Sequence, residues 1–120
     1  MKLPRFASLT QLISEMKAQE KHEFDKVHDQ MRSLYHELSV LSKKSTNTAI
    51  NKFKLKFVNS ILGQSNQFLK EKYKPFKDFS LFDADEMPSN SDVALILGQY
   101  LKCMEKFRID NTKSDSLDWR

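Results

Sequence analysis

From Phe24 to Leu41 the apolar residues fall at Phe24, Val27, Met31, Leu34, Leu38 and Leu41, with gaps of 3, 4, 3, 4 and 3. That alternation is the seam of a helical bundle or coiled coil. As a helix this stretch alone is a rod of about 27 Å, long for a small chain. The rest of the sequence agrees with a helical reading. Only two glycines and three prolines occur in 120 residues, too few for the many tight turns of a β-sandwich or barrel. A chain of this length makes one domain and buries roughly 65% of the surface its unfolded form exposes.

The first helix is expected over about 8–43. Ser8 and Gln11 form a capping box, and Leu9, Leu12, Ile13 and Met16 share one face. The apolar signal lapses over 17–23, which leaves a bend and a second short helix both open. The polar run SKKSTNT (42–48) is a turn. A second helix follows over about 48–74 and is stopped by Pro75. At 100° per residue, Ile50, Phe53, Phe57, Ile61 and Phe68 form one apolar stripe of this helix. Leu55, Val58, Leu62, Leu69 and Tyr73 form another, about 110° away. Two stripes imply two neighbours. Gly63 lies on the polar side, either allowing a close approach or standing as a weak point of about 1 kcal/mol relative to alanine.

Residues 75–90 (PFKDFSLFDADEMPSN) are too apolar for a solvated loop. Phe76, Phe79, Leu81, Phe82 and Met87 are expected to lid one end of the helices. The run Ser89-Asn90-Ser91-Asp92 starts a third helix, over about 90–109. Residues 111–120 read as a polar tail in which Trp119 is out of character. The fold class is therefore all-α: a long antiparallel helical hairpin with a third helix packed on it. This makes a three- to four-helix bundle within a single domain, 1–110. The third helix, about 30 Å long, is too short to cover three apolar strips. The remainder is expected to be buried by dimerisation, two-fold dimers being the commonest assembly. The residues expected at that interface are Phe24, Met31, Leu34, Leu38, Phe53, Phe57, Ile61 and Phe68.

Charge is unevenly placed. Residues 43–77 hold nine lysines and one acid, net +8, whereas 78–92 hold five acids and no base, net −5. The two flanking segments nearly cancel. Lys52, Lys56, Lys70 and Lys74 cluster opposite the apolar stripes, with Asn59, Asn66 and Gln67 nearby. Such a face can track phosphates, but it has no arginine for bidentate readout. The same face also reads as a solvated helix back that answers the acidic loop of its own or another chain.

The chemistry-bearing residues are sparse. Asp25 and His28 share a helical face, and His36 flanks the seam, but the other helices supply almost no inward ligand. No metal or cofactor is expected. Asp83-Ala84-Asp85-Glu86 lacks the glycine and closing glutamate of a calcium loop. Cys103 reads as an inert thiol in an apolar helix. It is the single cysteine, so no disulfide framework exists within the chain, which fits a reducing, cytoplasmic setting. No phosphate-cradling, zinc-protease or nucleophile-elbow motif occurs. No apolar run suits a membrane span or a signal peptide. The expectation is a non-enzymatic helical interaction or regulatory protein. The alternative is a nucleic-acid-binding protein that uses the lysine face.

Overall fold

The structure is a computed structural model that describes the backbone of residues 9–114 and the side chains of residues 17–112. Three helices account for most of it: α1 (Leu9–Lys44), α2 (Lys52–Tyr73) and α3 (Asn90–Ser114). The described residues contain no strand, only an isolated bridge between Ala49 and Ser89. The fold is all-α. The Ser8–Gln11 capping box, the Leu9 to Met16 face and Trp119 lie outside the described side chains.

α1 is a single uninterrupted helix, so the weak stretch 17–23 is neither a bend nor a second helix. Side-chain pairs one turn apart support it there. Gln19 Nε2 donates to Glu23 Oε1 at 3.3 Å, and Lys21 Nζ meets Asp25 Oδ2 at 2.9 Å. Each such surface pair contributes about 0.3–0.5 kcal/mol. At 1.5 Å per residue α1 is about 54 Å long, and it sets the 58 Å long axis of the molecule.

α2 starts at Lys52, later than the expected 48, because its approach is committed elsewhere. The Ile50 N–H donates to Pro88 O at 2.8 Å, and the Asn90 N–H donates to Thr48 O at 2.9 Å. These bonds tie the starts of α2 and α3 together. Asn51 then caps α2, its side chain accepting from the backbone N–H groups of Phe53 and Lys54. Near its far end α2 leaves helical geometry at Lys70 (φ 53°, ψ −167°) and makes one last short turn. Lys74 is extended, as a residue before proline prefers.

Contact registers give the helix directions. Ser65, Asn66 and Tyr73 of α2 meet Met104, Tyr100 and Asp110 of α3, so α2 and α3 run the same way. α1 runs against both, with Phe24 on Phe68 and Phe107 and Glu37 beside Lys54. α3 packs more extensively on α1 than α2 does. The 74–89 crossover therefore has to return along the length of α2. Asn59 holds it with two bonds to the Phe82 backbone: Nδ2 donates to the carbonyl at 3.0 Å, and Oδ1 accepts from the N–H at 2.9 Å. Asn66 Nδ2 donates to Ser80 O at 3.0 Å, and Asn66 Oδ1 accepts from the Tyr100 hydroxyl at 2.6 Å. Of the five apolar residues expected to lid one end, Phe79 and Phe82 pack on the core, while Phe76, Leu81 and Met87 are exposed. The crossover straps the flank of α2 instead of closing an end.

α3 is capped by Ser89 Oγ, which accepts from the Asp92 N–H at 3.1 Å. It continues past the expected end at 109, so residues 111–114 are helical and not tail.

The core joins Phe24, Val27, Met31 and Leu38 of α1 to Leu55, Val58, Leu62 and Leu69 of α2 and to Val93, Leu97, Tyr100 and Met104 of α3. The two glycines play opposite parts. A Cβ on Gly98 would sit 3.1 Å from Tyr35 Cε1, so the missing side chain lets α1 and α3 approach there. A Cβ on Gly63 would meet nothing within 4 Å, so Gly63 is the weak point and not a packing notch. Gly63→Ala is expected to stabilise the fold by about 0.5–1 kcal/mol, raising the thermal midpoint by a few degrees. Gly98→Ala should show no such gain. Paired thermal melts check both.

Candidate interaction surface

The two stripes of α2 meet different fates. Leu55, Val58, Leu62 and Leu69 are buried, and from the other stripe so are Ile50 and Ile61. Phe68 is half-buried, edge-on to Phe24 with centroids 5.5 Å apart. Phe53 and Phe57, in contrast, are 67% and 50% exposed. Their rings meet edge to face at 4.9 Å. On α1, Phe24, Met31 and Leu38 are wholly buried inside the chain, and Leu34 is half-buried. Of the eight residues expected at an interface, Phe24, Met31, Leu38 and Ile61 thus belong to the chain's own core. Phe53 and Phe57 remain open at the surface, and Leu34 and Phe68 are partly so.

Phe57 and Leu34 face each other across a shallow groove of about 290 Å³ between α1 and α2, completed by Asp29, Gln30, Ser33 and Ile61. Lys54 and Glu37 bridge the same two helices at 3.5 Å. Burying a phenylalanine side chain fully is worth about 1.5–3 kcal/mol. Rings left half to two-thirds open therefore hold on the order of 1 kcal/mol or more each for whatever covers them.

The lysine face is divided. Lys52, Lys56 and Lys70 are exposed, whereas Lys74 is half-buried and donates to Ser80 Oγ at 2.8 Å. Lys56 and Lys70 are separated by about 21 Å of helix. Between them Asn59 and Asn66 hold the crossover, so neither amide is open to a sugar or a base. Sequence periodicity carries no signal for this use, because an amide bonding a distant backbone group looks the same in a sequence as one in water.

The acidic segment is also exposed at Asp83, Asp85 and Glu86, together with Leu81 and Met87. Asp83 Oδ1 accepts from the Asp85 N–H at 2.9 Å and caps a single 3₁₀ turn, Ala84–Glu86. That cap is its local role. Among the described residues, no ion pair joins an acid of 78–92 to a lysine of 43–77. The acidic loop therefore leaves Lys52 and Lys56 unmasked.

The remaining titratable candidates are scattered. Asp25 is paired with Lys21, and His36 is exposed. Among the described residues, no three histidines, cysteines or acids converge as a metal site would require. Burial pushes the Cys103 thiol up and the Tyr100 phenol up to about 12, which leaves both protonated near neutrality. His28 stacks on Phe24 with centroids 5.9 Å apart. Its pKa lies below the ordinary 6.5, first because of burial and then because of the Arg32 charge. Arg108 lowers it further, and Glu105 and Asp29 oppose the shift. The unfolded chain thus binds the His28 proton more readily than the folded chain does. The His28 contribution to stability is complete above about pH 6.5 and is lost as pH drops from there through the folded pKa. His28→Gln is expected to flatten that part of the stability–pH curve, as measured by urea titrations from about pH 5 to about pH 8.

Comparison with protein-family models, with curated proteins and with solved structures finds no match to this chain. No helix among the described residues is long and apolar enough to cross a membrane.

Proposed function

We propose that the chain is a non-enzymatic helical interaction or regulatory protein, and that its helical hairpin and third helix are completed by contact of the α1/α2 aromatic surface with another chain, first of all a second copy. The exposed Phe53–Phe57 pair carries this reading. Two adjacent rings left open beside a groove on a short, well-packed bundle mark a contact surface more than a solvent face. The protonated Cys103 and Tyr100 supply no ready nucleophile, in keeping with a binding role. A lone cysteine suits the cytoplasm.

Sedimentation velocity from about 1 to about 100 µM tests it, because association depends on concentration by mass action. The expected result is a mass rising from 14.1 kDa toward twice that value. Phe57→Asp should hold the chain at 14.1 kDa with its helical circular dichroism intact. A wild-type chain that stays monomeric throughout removes the dimer reading.

One observation favours a nucleic-acid reading: Lys52, Lys56 and Lys70 are exposed, with no acidic partner from the crossover. A gel shift at about 50 mM and about 200 mM salt separates the two, since phosphate contacts weaken steeply with salt. Binding that is lost at the higher salt and abolished by Lys52→Glu with Lys56→Glu supports that alternative. No binding at the lower salt removes it.

A further inference from the structure

We infer that a second copy of this chain seats its 81–87 segment on Lys52, Phe53, Lys56 and Phe57, with a two-fold axis between the crossover and the lysine stripe. This rests on the reading of the protein as one that associates through the aromatic surface. It adds which segment of the partner is used and how the two copies meet.

The first support is the order of features around α2. At 100° per residue, with Lys52 at zero, Lys56 lies at about 40° and Phe53 and Phe57 at about 100° and 140°. Asn59 and Asn66 lie at about −20° and −40°, and the crossover is bonded to them. The sequence around the helix is therefore crossover, lysines, aromatic rings. A two-fold axis between the first two lays each crossover on the other copy's lysines. The rings then reach the far side of the partner's crossover.

The second support is complementarity. Lys52-Phe53-Lys54-Leu55-Lys56-Phe57 carries the exposed rings beside the exposed Lys52 and Lys56. Leu81-Phe82-Asp83-Ala84-Asp85-Glu86-Met87 carries exposed Leu81 and Met87 on either side of exposed acids. Each segment offers what the other lacks, in opposite charge and with matching apolar contacts. Within one chain the match goes unused, because no ion pair joins them. The Asn59 and Asn66 bonds hold the crossover well over a quarter turn away from its own Phe53 and Phe57. Only another copy brings the segment onto the rings. An isologous contact makes every interaction twice, so reversing one charge cluster acts at two places.

The test uses two charge-reversed chains that leave the Asp83 cap in place. Lys52→Glu with Lys56→Glu is expected to be monomeric alone, because acid then faces acid. Asp85→Lys with Glu86→Lys is expected to be monomeric alone, because base faces base. Mixed in equal amounts, they restore attraction at both contacts. A heterodimer of twice 14.1 kDa is expected by light scattering, weakening as salt rises. Either variant dimerising alone like wild type, or the mixture remaining monomeric, overturns the seating. A second measurement needs no variant: carbodiimide cross-linking of mixed light and ¹⁵N-labelled wild type. It should join Lys52 or Lys56 of one isotope to Asp85 or Glu86 of the other, and links confined to one chain overturn the proposal. A wild-type monomer sinks both this seating and the dimer reading beneath it. A wild-type dimer indifferent to charge reversal sinks the seating alone.

Discussion

Phe24→Ala is expected to remove about 3–5 kcal/mol of unfolding free energy, a large share of the roughly 5–15 kcal/mol that holds a domain of this kind together. Phe24 is fully buried and its ring joins all three helices. It lies against Phe107 of α3 at 5.3 Å, edge-on to Phe68 of α2 at 5.5 Å, and over His28 of its own helix at 5.9 Å. Removing it leaves a cavity bordered by other rings, which are too stiff to collapse into the space. Phe24→Leu should lose distinctly less, because leucine refills part of the volume. Urea titration reads both as a shifted midpoint at unchanged slope. A loss below about 1 kcal/mol for the alanine variant would mean that this ring does not join the helices.

That ring was legible from spacing alone. The 3-4-3-4-3 run placed Phe24, Val27, Met31 and Leu38 on one face, and all four are buried. Leu34 and Leu41 lie on the same run but only half inside. Periodicity gives the direction of a face but not the width of the neighbour that covers it. The same limit explains α2. Two stripes were readable, yet the division within one of them, with Ile50 and Ile61 inside and Phe53 and Phe57 outside, depends on where α1 and α3 cross it. The start of α2 at Lys52 was hidden because the backbone of Thr48 and Ile50 is bonded to residues forty positions away in the chain. The unbroken course of α1 through 17–23 was hidden as well. A polar stretch in a long helix and a break in it have the same composition, and here neighbouring turns and paired side chains carry the helix across. The candidate surface was half legible. Spacing found Phe53 and Phe57, but the exposure of Leu81 and Met87 follows from the path of the crossover, which no pattern in its own residues specifies.

The crossover path is set by two side chains, and Asn59→Ala should show how strongly. The substitution leaves the Phe82 N–H and carbonyl without partners in a half-buried position. An unmet buried group costs about 1–3 kcal/mol, so the pair would cost about 2–6 kcal/mol at full burial, and half-burial sets the expectation in the lower part of that range, about 2–4 kcal/mol. Among the described residues no buried side-chain polar atom is left unpaired, which makes such a defect the exception in this molecule. Asn59→Asp should recover little. It keeps an acceptor for the Phe82 N–H but turns a carboxylate toward the Phe82 carbonyl. The loss should be local before it is global: the Phe82 amide should exchange with solvent faster, and 75–89 should become the first site of proteolytic cleavage. Asn59 and Asn66 hold the same strand of chain, so Asn59→Ala and Asn66→Ala should be non-additive by about 0.5–3 kcal/mol. If the two losses simply add and Phe82 exchange is unchanged, the crossover is held by Phe79 and Phe82 packing on the core and the amides are incidental. If they are coupled, Asn59 fixes where Asp85 and Glu86 stand relative to Lys52 and Lys56. Loosening the crossover should then weaken self-association through a residue that lies outside the contact itself, at concentrations where the helices remain folded.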